Sequence, residues 1–215
     1  MKRLLAALPV LILAGSFAGC ASKPSPRDPA TDTAASLEET SSSLQDLKAQ
    51  VGETLAAMER IPGSGGNLAS TFGDYRGQLD ELKKSLNQVS EQQRSLDGQL
   101  TRYQQQWAAD TARFDSGNLR ENAQRRLNEV RDTIDDIDPA YDRVRDSGRD
   151  LVSHLEEIRT YLGNDLTTPA VRSITPTLEE ARQRGATLRT NIDELLIEMR
   201  EINDTITPPG TVQNT

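Results

Sequence analysis

Apolar residues that alternate at spacings of four and three constrain the fold of this chain more than any other feature. A strand would repeat its apolar residues every two positions, whereas this alternation is that of a coiled-coil seam. Between residues 68 and 114 the seam holds over several heptads with only Gln93 and Asp110 as polar members. At about 1.5 Å per residue, this stretch predicts a helical rod about 70 Å long. The seam consists of Leu68, Phe72, Tyr75, Leu79, Leu82, Leu86, Val89, Gln93, Leu96, Leu100, Tyr103, Trp107, Asp110 and Phe114.

Two further long seams keep the same alternation, and a shorter and less regular one precedes them. The second runs through Leu127, Val130, Ile134, Ile137, Tyr141, Val144, Gly148, Leu151, Leu155, Ile158 and Leu162. The third runs through Val171, Ile174, Leu178, Ala181, Gly185, Leu188, Ile192, Leu195, Met199, Ile202 and Ile206. The short one runs through Leu37, Leu44, Leu47, Val51, Met58 and Ile61, with Thr40 and Thr54 in its gaps.

Clusters of proline, glycine and small polar residues separate the seams, because such clusters do not continue a helix. The predicted fold is all-α, an elongated antiparallel coiled-coil-like bundle of three to four long helices over residues 34–207. Short links favour a bundle within one chain, although a homo-oligomer in which two chains pair their hairpins would also cover the seams. The predicted helices span 34–61, 68–114, 118–163 and 169–206, with residues 208–215 as a disordered tail.

Pro139 is a misfit inside the third predicted helix. A proline removes one backbone donor and crowds the carbonyl four residues earlier. We therefore expect a kink within residues 135–138, or a helix that is really two.

The N-terminus has the layout of a lipoprotein signal. Lys2 and Arg3 precede an apolar stretch over residues 4–18, and small residues lead to Cys20, the only cysteine. That stretch is shorter than the roughly 20 residues of a membrane span. It resembles a bacterial lipobox, which implies that residues 1–19 are a signal peptide and that Cys20 is acylated. The resemblance implies the periplasmic face of the outer membrane rather than the inner membrane, because Ala21 and Ser22 follow the cysteine.

Residues 20–33 are rich in proline and polar residues and are predicted to be a disordered tether between the lipid and the bundle. Removing residues 1–19 leaves 23 basic and 33 acidic residues, a net charge of −10. This acidic balance disfavours nucleic acid as a partner, since phosphates require a basic patch. It also disfavours a basic helix lying on anionic lipid.

Few residues offer chemistry. His154 is the only histidine; it flanks a seam and is expected to be half solvated. His154 with Met199 would allow haem ligation, but Met199 is well explained as a seam residue. The aspartates around Pro139 would allow a divalent cation, but interleaved arginines favour a solvated charged face. We therefore expect no enzyme activity, no cofactor and no metal.

Two sets of seam residues are the candidates for function. Buried polar side chains commonly fix register or oligomeric state, which points to Gln93 and Asp110. Tyr103, Trp107 and Phe114 gather near the turn between the second and third helices. They are interpreted either as a cluster that closes the bundle or as an anchor for a protein partner, because aromatic residues dominate interface energetics.

The stretch from Trp107 onward resembles an uncharacterised family of bacterial helical envelope proteins, domain-of-unknown-function family 2959. The residues that carry the resemblance are Trp107, residues 118–120, Tyr161 and Leu162, and the final amphipathic helix. The resemblance implies a helical envelope protein and brings no activity with it.

The leading hypothesis is a non-catalytic lipoprotein that faces the periplasm, either a spacer or scaffold or a partner-binding subunit of the envelope. The alternative is a bundle that binds an apolar ligand such as a lipid, because Gly148, Ala181 and Gly185 would leave room along the seams.

Overall fold

A computed structural model of the chain describes residues 29–207, and every regular element in this range is helical. The all-α prediction is confirmed. None of the helices in this range is both long enough and apolar enough to cross a lipid bilayer. A 3₁₀ turn covers Gly65–Asn67, and the α-helices are α1 (Pro29–Glu59), α2 (Leu68–Thr111), α3 (Gly117–Asp135), α4 (Ile137–Asn164), α5 (Thr168–Ser173) and α6 (Thr175–Ile206).

Four rods pack side by side, with α3 and α4 together forming one of them. The α1 helix lies against α2 and α6, and the α3–α4 rod lies against both α2 and α6. Charge pairs show the direction of α6 relative to α1. Lys48 meets Asp193, and Glu59, further along α1, meets Arg182, which comes earlier on α6. The two helices are therefore antiparallel, as the short connections predict.

The core is one continuous column built from all four seams. Fully buried examples are Leu47 on α1, Leu79 on α2, Leu151 on α4 and Leu188 on α6. The apolar side chains against which each seam packs thus come from the same chain. Burial of such a side chain stabilises the fold by about 1.5–3 kcal/mol, which offsets the entropy lost by ordering the backbone.

Helix α1 begins at Pro29, earlier than the predicted start at residue 34, so the last part of the predicted tether over 20–33 is helical. A polar extension of the short seam accompanies this earlier start. Thr33, Ser36 and Thr40 are buried, and the Thr40 hydroxyl donates to the Ser36 carbonyl oxygen at 2.8 Å. A threonine that bonds within its own helix in this way fills a core position without an unpaired hydroxyl.

The third and fourth predicted helices are each interrupted once. Helix α3 ends at Asp135 and α4 starts at Ile137, within the region where a kink or a split is expected. Pro139 is the third residue of α4, where a helix N–H has no intrahelical acceptor, so the proline costs no hydrogen bond there. Pro176 has the same effect at the α5–α6 break, which the seam pattern did not predict.

The predicted signal peptide over 1–19, the predicted acylation site Cys20 and most of the predicted tether lie outside the described residues, as does the predicted tail over 208–215.

Candidate functional site

The aromatic residues near the end of α2 line a groove at one end of the bundle. Heptad spacing places Tyr103 and Trp107 one turn apart, and their rings meet edge to face with centroids 5.7 Å apart. Tyr103 is buried and Trp107 is half-buried. The groove has a volume of about 420 Å³ and is lined by Pro29, Ala30, Tyr103, Gln106, Trp107, Asp110, Arg126, Thr205, Ile206 and Thr207.

This groove lies where both ends of the described chain meet. Pro29 is the first described residue and Thr207 the last, and both contribute to its wall. Helix α3 is joined to the same end by Arg126, whose guanidinium donates to the Thr205 carbonyl oxygen at 2.7 Å. Pro29, to which the preceding N-terminal residues are joined, therefore lies at the aromatic end of the bundle.

Phe114 lies beyond this groove. Helix α2 ends at Thr111, short of the predicted 114, and Phe114 sits in the turn that follows. Its side chain is 38% exposed. The Arg120 guanidinium donates from Nε to the Phe114 carbonyl oxygen at 3.1 Å and thereby closes the turn. Of the three candidate partner-binding residues, the structure pairs Tyr103 with Trp107 and places Phe114 further out.

The two polar seam positions do not form the contacts that bridge helices. Asp110 is half-buried and accepts from Gln106 and Arg113, which lie within one turn of it on the chain. Gln93 is also half-buried. Their proposed role in fixing register therefore gains no support from these contacts.

Other polar residues do link the helices and were not singled out from the sequence. The Gln50 amide on α1 donates to the Gln78 side-chain oxygen on α2 at 2.7 Å, and the Thr54 hydroxyl donates to the Gln78 carbonyl oxygen at 3.1 Å. The Tyr75 hydroxyl donates to the Leu155 carbonyl oxygen of α4 at 2.6 Å. In the sequence, the only indication of these links was that Thr54 and Tyr75 occupy seam positions.

Histidine and methionine are placed too far apart to share a haem. His154 is 7% exposed, contrary to the expected half solvation, and its Nε2 lies 3.0 Å from the Thr177 carbonyl oxygen near the start of α6. Met199 is near the end of the same helix and accepts a hydrogen bond from the Ser41 hydroxyl at 3.8 Å. From Thr177 to Met199 the helix rises by about 33 Å, so the two side chains belong to different layers of the core.

The acidic stretch around Pro139 is a charged surface. Arg145 contacts Asp142 at 2.7 Å and Asp146 at 3.2 Å. Arg143 instead reaches across to Glu194 and Glu198 on α6. Within residues 29–207, no group of three or more histidine, cysteine or acidic side chains is arranged to hold a metal ion.

Burial changes the protonation behaviour of a small group between α2 and α4. Burial, and next the charge of Asp97, raise the pKa of the Tyr141 phenol. Burial, and then the charge of Asp138, raise the pKa of the Asp97 carboxyl. The Tyr141 hydroxyl has no hydrogen-bond partner among the described residues. The burial of Tyr141 and Asp97 therefore lowers the stability of the α2–α4 interface locally.

The room that glycine leaves on two seams is filled by leucine. A Cβ atom on Gly148 would lie 2.6 Å from Leu86 Cδ2, and one on Gly185 would lie 2.5 Å from Leu55 Cδ1. Both glycines therefore receive a leucine from a neighbouring helix. The gaps that suggested an apolar ligand are therefore occupied by the protein's own side chains.

No curated protein and no solved structure matches this chain. A family model described as "Protein of unknown function (DUF2959)" matches residues 32–208. That range covers the whole bundle except the first turn of α1, and the match confirms the resemblance found over the C-terminal half. The chain therefore belongs to the DUF2959 family.

Proposed function

We propose that this protein is a non-catalytic, lipid-anchored helical scaffold of the bacterial envelope that holds a protein partner away from the outer membrane. The observation that carries the proposal is the placement of Pro29, the first residue that the structure describes. The predicted acylation site, Cys20, precedes Pro29 by nine residues, and Pro29 lies near one end of the bundle, in the wall of the aromatic groove.

The geometry suits a spacer because the anchor and the far end are separated by the full length of the bundle. Helix α2 alone has 44 residues, which corresponds to about 66 Å. The opposite end is formed by residues 60–67 and residues 165–174, which connect the helices there. A protein bound near that end would be held well into the periplasm.

The interior supports a scaffold more than a carrier. Leu55 and Leu86 occupy the gaps beside Gly185 and Gly148. No space for a ligand is therefore left beside these two seam glycines. Interhelical charge pairs such as Lys83–Glu156, at 2.9 Å, flank the core. A scaffold needs this kind of fixed shape, because its function is to set a distance.

The anchor is tested by Cys20→Ser in cells that are labelled with radioactive palmitate. We expect the wild-type chain to carry label and to fractionate with the outer membrane, and the Cys20→Ser chain to lose both properties. Ser22→Ala is the matched control, because it changes a neighbouring residue and leaves the thiol in place. Label on the Cys20→Ser chain would contradict the proposed anchor.

The partner is tested by photo-crosslinking in intact cells. A photoreactive amino acid at Tyr161, which is 45% exposed near the far end, is compared with one at Gly98 in the exposed middle of α2. We expect a discrete protein adduct from the far-end position and none from the middle. Failure to capture any protein from several positions at the far end would argue against a scaffold with a partner there.

A further inference from the structure

The α2–α3 hairpin extends past the ends of the other helices. Pro29 of α1 and Thr207 after α6 lie level with Trp107 and Arg126, where they line the same groove. The chain between these levels continues outward and returns, and every residue from 112 to 122 is exposed. We refer to residues 112–126 as the hairpin tip.

The hairpin tip exposes large apolar side chains at its most distant part. Leu119 is 58% exposed and Phe114 is 38% exposed. These are two of the four large apolar side chains that are strongly exposed within residues 29–207; the other two, Tyr161 and Ile197, lie apart from each other. Trp107 and Tyr103 follow directly behind the tip. Tryptophan is enriched at membrane–water interfaces, because its ring is apolar and its N–H is polar, and Trp107 is only half-buried.

The tip is also basic in an acidic protein. It contains four arginines and two acidic residues, whereas the whole chain has a net charge of −8. Arg113 pairs with Asp110, and Arg126 pairs with Glu129. Arg120 and Arg125 donate to neutral oxygens, on Phe114 and Asn122, and with Asp115 and Glu121 counted, residues 112–126 have a net charge of +2. The tip therefore complements an anionic lipid surface, although the overall charge does not.

We propose that the hairpin tip contacts the headgroup region of the same bilayer that holds the N-terminal lipid. This inference rests on the proposed lipid anchor. Phe114 and Leu119 enter the interface, while the arginines remain among the headgroups. Two points of contact, the lipid and the tip, then hold the bundle upright on the membrane.

The length of the connecting chain is compatible with this arrangement. Pro29 is nine positions after Cys20, and an extended chain spans at most about 3.3–3.6 Å per residue, or about 30 Å. Pro29 is next to the base of the hairpin tip. A lipid on Cys20 and the tip can therefore reach one bilayer surface at the same time.

The only tryptophan, Trp107, allows a direct test with a moved reporter. In a Trp107→Phe background, Phe114→Trp places a single indole at the tip, and Tyr161→Trp places it near the opposite end as a control. The acylated full chains are reconstituted into vesicles of phosphatidylethanolamine and phosphatidylglycerol with brominated acyl chains. We expect bromine to quench the fluorescence of the Phe114→Trp chain and not that of the Tyr161→Trp chain.

Surface variants test the chemistry of the contact. Adding Leu119→Ser and Arg125→Glu to the tip reporter should reduce the quenching by about half or more, because it removes an exposed apolar group and reverses one charge. The matched control adds Ile197→Ser and Arg94→Glu, which alter exposed residues away from the tip, and should leave the quenching unchanged. Circular dichroism checks that each variant keeps its helix content.

Co-sedimentation with the vesicles separates the two proposals. A chain that co-sediments but whose tip reporter is not quenched would overturn the tip contact and leave the anchor standing. A chain that does not co-sediment would overturn both. In cells, a photoreactive amino acid at residue 114 should give lipid adducts; a protein adduct in their place would overturn the membrane assignment and identify the tip as a protein-binding surface.

Discussion

At the scale of the residue, two seam glycines each have a leucine of a neighbouring helix packed against them. A Cβ on Gly185 would lie 2.5 Å from Leu55 Cδ1 and 3.4 Å from its Cγ. Overpacking of this kind costs about 1–3 kcal/mol, whereas alanine in place of glycine in a helix gains about 1 kcal/mol. We predict that Gly185→Ala is less stabilising in the wild-type chain than in a Leu55→Ala background, where it raises the free energy of unfolding by about 1 kcal/mol.

Urea denaturation of the four chains in this double-mutant cycle measures the coupling. Gly98→Ala is the matched control, because Gly98 is in α2, is exposed, and has nothing within 4 Å of an added Cβ. It should stabilise the protein in both backgrounds. Equal gains from Gly98→Ala and Gly185→Ala in the wild-type chain would show that Leu55 does not fill the gap.

Because Tyr75 and Tyr141 are buried, we predict that the free energy of unfolding falls at alkaline pH. Burial, followed by the charge of Glu156 and opposed by Arg159, raises the pKa of Tyr75 above its ordinary value of 10.0, and burial does the same for Tyr141. The fold favours the neutral phenol, so this contribution to stability is complete below pH 10 and is lost as the pH rises toward the raised pKa. The free energy of unfolding should fall by about 1.4 kcal/mol per pH unit for each tyrosine above pH 10.

Urea denaturation between pH 8 and pH 11 measures this slope. Tyr75→Phe should make it shallower, while costing about 0.5–1.5 kcal/mol at pH 8 through loss of the bond to the Leu155 carbonyl. Tyr161→Phe removes an exposed phenol and serves as the control. A slope that is the same for all three chains would contradict the assigned cause.

At the scale of the element, the halves of α3 differ in how they are held. No residue from Gly117 to Arg126 is buried, whereas Leu127, Val130 and Ile134 are. Local stability follows the number of buried apolar contacts. We predict that backbone amides in residues 119–126 exchange with deuterium faster than those in residues 127–135, as measured by mass spectrometry. Equal protection along the whole helix would show that the first half is held by contacts other than burial.

At the scale of the whole molecule, the structure predicts a monomeric rod. All four seams are covered within one chain, so residues 29–207 leave no large apolar face that requires a second copy. For residues 29–215 expressed without the signal segment, small-angle X-ray scattering should give the mass of one chain and a longest dimension of at least about 66 Å, set by the 44 residues of α2. A dimer mass at low concentration would support the pairing of hairpins between chains.

The sequence determined the helices, their seams and most of their boundaries, because heptad spacing and helix-breaking clusters are local properties. Tyr75, Leu151 and Leu188 are buried where their seams predict. The same local information was incomplete where polar residues enter the core. Helix α1 extends back to Pro29 with Thr33 buried, and the burial of Thr33 depends on neighbours that no local pattern reveals.

Only the tertiary structure decided which seam faces which, and therefore what each special residue does. Gly148 and Gly185 are open positions on a helix taken alone, and they are filled only because Leu86 and Leu55 lie opposite. In the same way, Trp107 lines one groove with the start of α1 because both lie at one end of an antiparallel bundle. These contacts join residues that are far apart in the chain, and their pairing is set by how four rods pack together rather than by any one of them.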